Sequence, residues 1–107
     1  MRAARIFYGD DFCAILRESD AGYTFQYDES YLAKKKSRAV SLTLPLRAEV
    51  YESRTLFAFF DGLIPEGWLL SIVAENWKIN RKDRFALLLA ACGDCIGAVS
   101  VREVEDE

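Results

Sequence analysis

Three short stretches of alternating residues, separated by glycine turns, constrain this chain more than any other feature. Residues 3–8 set Ile6 and Tyr8 on one face. Phe12 to Arg17 follows the turn Gly9-Asp10-Asp11, and Tyr23, Phe25 and Tyr27 alternate with Thr24, Gln26 and Asp28 after Asp20-Ala21-Gly22. A period of two marks half-buried strands, and turns this short join antiparallel neighbours. Together they predict an antiparallel meander. Cys13-Ala14-Ile15-Leu16 is its irregular part, apolar on both faces.

Helical signals follow. Asp28 is placed to cap a short helix from about Glu29 to Lys36, to which Tyr31 and Leu32 supply the apolar side. Ser41-Leu42-Thr43-Leu44-Pro45-Leu46 alternates again, predicting an edge strand with Leu42, Leu44 and Leu46 inward and ending at Pro45, which lacks an N–H. A helix is predicted over Thr55 to Asp61, stopped by Gly62. Pro65 suits the first turn of the next helix, Glu66 suits its positive end, and that helix runs to about Trp77. Asn80 is the expected cap of a helix from Arg81 to Cys92, stopped by Gly93, and Ile96 to Glu103 reads as a last strand with Val99 and Val101 on one face. The expected architecture is a single α+β domain over residues 1–107: a small, mainly antiparallel sheet, about four helices packed on one side, and a short acidic tail.

The composition narrows the function. The chain has 107 residues, enough for one core, with 51% hydrophobic and 29% charged residues. Its apolar runs are too short to span a membrane, and no signal-peptide core follows Met1-Arg2-Ala3-Ala4-Arg5, so the cytoplasm is expected. The net charge is −3, and the basic run Lys34-Lys35-Lys36 with Arg38 is too narrow for a nucleic-acid face, so direct nucleic-acid binding is not expected. There is no histidine, which removes the commonest general base and the commonest metal ligand.

The remaining chemical motifs are weak. Cys92-Gly93-Asp94-Cys95 has CxxC spacing, but Cys92 falls at a helix end, where the dipole raises a thiol pKa rather than lowering it. With only Cys13 besides, four zinc ligands are not available, and buried free thiols are the expectation. Gly62 and Gly67 imitate the start of a phosphate loop, but Trp68 replaces its lysine, while Pro65 and Glu66 remove a donor and add a repelling charge. Ser41, Ser71 and Ser100 have no histidine to activate them, and Asp61, Glu66 and Asp94 form no recognisable catalytic pair. No catalytic site, cofactor or metal is expected.

Trp68 is the residue most suggestive of a contact. On a helical wheel Leu69, Leu70, Ile72, Val73 and Trp77 share one broad face, while Trp68 falls beside Ser71 and Glu75. Trp77 therefore reads as core. Trp68 either packs on a loop of its own domain or is exposed until a partner buries it, and tryptophan is enriched among the residues that dominate interfaces. A rigid Pro-Gly turn would present it with little conformational freedom left to lose.

Several motifs, taken in order, resemble one family. Ser41-Leu42-Thr43-Leu44-Pro45-Leu46 is similar to its S-L-S-L-P-L segment, and Phe57-x-Phe59-Phe60-Asp61-Gly62-Leu63-Ile64-Pro65-Glu66-Gly67 to its F-x-F-F-x-N-L-L-P-E-G turn. Phe85-x-Leu87-Leu88, then Gly93-Asp94 and Ile96-Gly97-Ala98-Val99, resemble its F-x-L-L…G-x-D-x-x-G-A-V ending, with the aspartate one position closer to the glycine. Tyr23-x-Phe25-x-Tyr27 and Tyr31-Leu32 fit its early F-x-Y…W-L segment. The chain thus resembles the N-terminal subdomain of HipA-type serine/threonine kinase toxins over nearly all of residues 5–104.

In that family the subdomain precedes the ATP site and catalytic aspartates, none of which lies in residues 1–107. A free-standing copy of the subdomain resembles the HipS-like antitoxins of tripartite HipBST-type toxin–antitoxin systems. The resemblance implies a non-enzymatic chain that binds and neutralises a HipT-like kinase where the fused subdomain would sit. A HipB-like helix-turn-helix protein is expected in a ternary complex. Trp68, Glu66, Pro65, Ile64 and Asp61 are the expected partner-binding residues. Two other readings stand beside it: an excised N-terminal piece of a complete HipA-type kinase, and a small redox or metal enzyme built on Cys92 and Cys95. The reading frame around Glu107 separates the first two, for which the acidic end favours a separate antitoxin; thiol titration and metal analysis test the third.

Overall fold

The computed structural model describes residues 2–64, 67–80, 82–91 and 99–104. Its strands are β1 (Ala3–Tyr8), β2 (Asp11–Ser19), β3 (Gly22–Tyr27), β4 (Tyr51–Ser53) and β5 (Val99–Val104). They pair antiparallel in the order β4-β3-β2-β1-β5, so the predicted meander forms the middle and the last strand returns beside the first. Four helices, α1 (Glu29–Leu32), α2 (Ala58–Asp61), α3 (Gly67–Trp77) and α4 (Arg84–Ala91), complete an α+β fold.

Strand alternation decides which face carries the core. Ala4, Ile6, Ala14, Leu16, Phe25, Tyr27 and Val101 are buried on one face, while Arg5, Arg17, Gln26 and Arg102 are exposed on the other. Phe60 of α2 and Phe85, Leu87 and Leu88 of α4 close the buried face. Phe25 is its centre, with ring centroids 4.9 Å from Tyr27, 5.5 Å from Phe60, 6.1 Å from Tyr51 and 6.3 Å from Phe57. The doubly apolar part of β2 contains a β-bulge. Ile6 pairs with Ala14 but Phe7 with Phe12, leaving Cys13 as the extra residue. Cys13 and Ala14 are therefore both buried, and burial pushes the Cys13 thiol up to about 12.

Two helix starts show how caps are chosen. The Asp28 side chain accepts from the Tyr31 N–H at 3.3 Å, as expected, though α1 stops at Leu32 rather than Lys36. At α4 the expected cap is displaced. Asn80 Oδ1 accepts from Lys82 N at 2.9 Å in a turn upstream, and Asp83 Oδ1 accepts from Ala86 N at 3.2 Å. Asp83 prevails because its full charge also meets Arg2, whose Nη1 and Nη2 reach it at 2.9 and 2.8 Å. Arg2 grips Glu18 of β2 with two further bonds of 2.8 Å and lies 5.2 Å from the Phe85 ring centroid. One guanidinium thus fastens α4 to the sheet, and its hydrogen bonds hold the Asp83 carboxyl below its ordinary range.

Other expectations are corrected. Residues 41–44 form a tight turn, not a strand: Leu44 N–H donates to Ser41 O at 3.1 Å, leaving Leu44 buried and both Leu42 and Leu46 exposed. The reason lies elsewhere in the chain, because the Tyr27 hydroxyl donates to Leu44 O and accepts from Val40 N at 3.1 Å. Tyr31 pins Arg38 in the same way, donating to its carbonyl at 2.7 Å and accepting from its N–H at 2.9 Å. Strand β4, only three residues long, gave no periodicity to read. Cys92, Cys95 and the start of the predicted last strand lie outside the described residues.

Gly22 has φ +138°, and a Cβ there would stand 2.3 Å from Ser53 O. Gly22→Ala is therefore expected to push β4 off β3 and cost about 2 kcal/mol or more in urea unfolding. The depressed Asp83 pKa means that the unfolded chain takes up a proton there before the folded one does. Its stabilisation is present at neutral pH and is lost as pH falls below about 5. Asp83→Asn keeps a capping side chain but not the charge. It should lower the Tm at pH 7 and flatten the fall in Tm between about pH 5 and pH 3.

Candidate functional site

Residues 57–64 and helix α3 form the two sides of a corner, the first of them tightly packed. Phe60 is fully buried beside Phe25, and Phe59 meets it edge-on at 5.1 Å. After α2 the chain tightens: Leu63 N–H donates to Phe60 O at 3.0 Å and Ile64 N–H to Asp61 O at 3.2 Å. Gly62 ends the helix from the right-handed region, at φ −68°, rather than from the left-handed conformation its residue type suggested. Ile64 is 3% exposed, so in the isolated chain it anchors the corner from inside.

Asp61 locks the corner to α4. Its Oδ1 accepts from Arg84 Nε at 2.7 Å, with both side chains partly exposed. The sequence reading named Asp61 but missed Arg84. A signal was present: an arginine in the first turn of a helix opposes the helix dipole and calls for a carboxylate from outside that helix. Among the sequence-predicted residues, Pro65 and Glu66 lie outside the described residues. The backbone of Trp68 lies in the first turn of α3, and its side chain is outside the description.

Helix α3 shows the corner's outward side. Ala74 is buried and Leu70 half-buried, whereas Ile72 is 40% exposed. Trp77, expected in the core, is 65% exposed. Positions 70, 74 and 77 are spaced four and three apart, so Trp77 lies on the side of α3 that buries Ala74, yet most of its surface meets solvent. The helix then ends with Lys78 at φ +53°, Lys78 N–H on Glu75 O at 3.3 Å and Ile79 N–H on Ala74 O at 2.9 Å. This is a Schellman ending that seats Ile79 against the core, with lysine where glycine is usual.

Among the described residues no three metal-ligating side chains converge, and no buried side-chain polar atom lacks a partner. No described helix is long and apolar enough to cross a membrane.

Comparison with known proteins places this geometry. The HipA N-terminal domain family matches residues 4–102. A solved structure of the N-terminal domain of HipA toxin superposes with a TM-score of 0.75 at 29% identity, covering 100% of this chain and 96% of that one. A protein of Haemophilus influenzae is 33% identical over 103 residues, which is 96% of this chain and 93% of the relative. Two putative kinases of Sinorhizobium fredii, Y4mE and Y4dM, are 33% and 28% identical over 85% and 94% of this chain. The chain spans only 21% and 26% of those two kinases, and the matched family is the N-terminal domain alone. With residues 4–102 matched by the family and the whole chain superposed on a solved member, the chain belongs to the HipA N-terminal domain family.

Proposed function

We propose that this domain is a HipS-like antitoxin that binds a HipT-like serine/threonine kinase and holds it inactive, without catalysing a reaction itself. One observation carries the reading. The same module makes up about a fifth to a quarter of two putative kinases and nearly the whole of the Haemophilus protein. A module that is fused in one setting and almost alone in another keeps the surface on which it met its kinase. Supplied separately, it occupies that place on a kinase that lacks it. A HipB-like helix-turn-helix protein completes the complex, and the cytoplasm is where all three meet.

The α2–α3 corner is the surface best suited to this role. Ile64 and Phe60 are buried beneath it and Asp61 is held by Arg84, so the end of α2 is a braced support. Helical spacing sets position 68 one turn ahead of Ile72, an exposed position of α3. In this reading Trp68 reaches towards the kinase active-site cleft and blocks substrate approach.

A second reading has an observation of its own. The low coverage of Y4mE and Y4dM fits a chain cut from a complete kinase, in which the corner is a permanent intramolecular contact. The reading frame decides: a separate kinase gene beside this one favours the antitoxin.

Two experiments follow. Trp68→Ala, co-expressed with the kinase, should weaken the complex by about 2 kcal/mol or more and abolish growth rescue; unchanged affinity and rescue would remove Trp68 from the interface. Arg84→Ala frees Asp61 and should loosen the corner. Because this ion pair is half-exposed, the cost in folding stability is about 1 kcal/mol or less, so a larger loss of kinase affinity marks the corner as the docking element.

A further inference from the structure

The sheet face opposite the helices carries a feature that folding alone does not require. Cross-strand pairing sets Arg5 of β1 directly opposite Arg102 of β5. Like charges at directly opposed positions destabilise a sheet. Among the described residues neither arginine side chain forms an ion pair or donates a hydrogen bond; each instead lies beside an aromatic ring. The Arg102 guanidinium is 4.9 Å from the Phe7 ring centroid and the Arg5 guanidinium 5.9 Å from that of Phe12. The two rings are themselves 5.9 Å apart at 59°. The bulge at Cys13 makes this possible, since it sets Phe12 opposite Phe7 and on the same face. The result is a row of two adjacent cross-strand pairs, Arg5 with Arg102 and Phe7 with Phe12, with both arginines exposed.

The rings orient the guanidinium groups but cannot accept their N–H donors as a carboxylate does. Two oriented forks side by side, without an acidic partner among the described residues and next to two half-buried phenylalanines, suit a ligand with neighbouring carboxylates and an apolar side chain beside them. A nucleic-acid backbone fits less well. It asks for a broad positive field, whereas this chain has a net charge of −3 and exposes Glu52 of β4 at one edge of this face.

We propose that this row is a second docking surface, for a carboxylate-rich, partly apolar segment of a partner protein, in which Arg5 and Arg102 each take a carboxylate and Phe7 and Phe12 take an apolar side chain. The α2–α3 corner lies on the helical side, so the two surfaces can be occupied at once. The inference does not depend on the kinase reading.

The test uses the full chain and a fluorescein-labelled synthetic peptide of Glu-Glu-Leu-Phe repeats, read by fluorescence polarisation. Saturable, salt-sensitive binding is expected, with amide shifts in the NMR spectrum concentrated on β1, β2 and β5. Arg5→Glu/Arg102→Glu should weaken it by about tenfold or more, and Arg5→Lys/Arg102→Lys by less, because charge is kept but the fork is lost. Circular dichroism checks each fold, and Arg5→Gln/Arg102→Gln replaces the reversal if that variant does not fold. Absent binding, equal binding by the glutamate and wild-type chains, or shifts confined to α3 would overturn the proposal. A DNA duplex bound more tightly than the peptide would assign the face to nucleic acid instead. Dimerisation abolished by the same variants would assign it to a second copy.

Discussion

Everything in this fold converges on the ring of Phe25. It has no exposed surface and touches aromatic rings from its own strand, from β4, and from both ends of the segment Phe57–Phe60. Truncating a ring buried to this degree costs roughly 3–5 kcal/mol, against a total stability of about 5–15 kcal/mol for a typical domain. The ring is therefore a junction as well as filler. It ties the predicted meander, whose partners are local in sequence, to the corner that begins thirty residues later.

Around that junction, polar contacts set the positions of parts that have little core of their own. The long coil between α1 and β4 has no regular structure beyond one isolated bridge, and the hydroxyls of Tyr27, Tyr31 and Tyr51 hold its carbonyl and amide groups. Arg2 fixes α4 from the sheet, and Arg84 fixes α2 from α4. The corner that carries Trp68 is thus braced from below by aromatic rings and from the side by an ion pair. In the proposed reading this matters directly, because a tryptophan on a stiff support loses less freedom on binding than one on a loose loop.

The sequence was most legible where local signals and tertiary needs agreed. Tyr23, Phe25 and Tyr27 alternate because one sheet face is buried, and Asp28 caps α1 because its neighbours leave an N–H to satisfy. It misled where a distant group intervened. Leu42 and Leu44 alternate like strand residues, but the Tyr27 hydroxyl takes the Leu44 carbonyl and closes a turn. Asn80 has a cap's chemistry, but Arg2 favours the carboxylate three residues on. Trp77 sat on the apolar side of the wheel, yet a wheel reports direction around a helix and not where the core beneath it ends. The corner, to which the proposed reading assigns docking, stood out in the sequence as a motif, while Arg84 and the arginine pair needed the strand and helix registers that only the fold supplies.

The domain emerges with two contrasting sides, a helical side with an aromatic corner and a sheet side with paired arginines. The central claim is that the helical side meets the kinase. Hydrogen–deuterium exchange of the chain, alone and with a HipT-like kinase, tests it most directly. The account predicts slowed amide exchange across α2 and α3, with β4 unchanged. Full complex formation without slowing anywhere between Ala58 and Trp77 would contradict it.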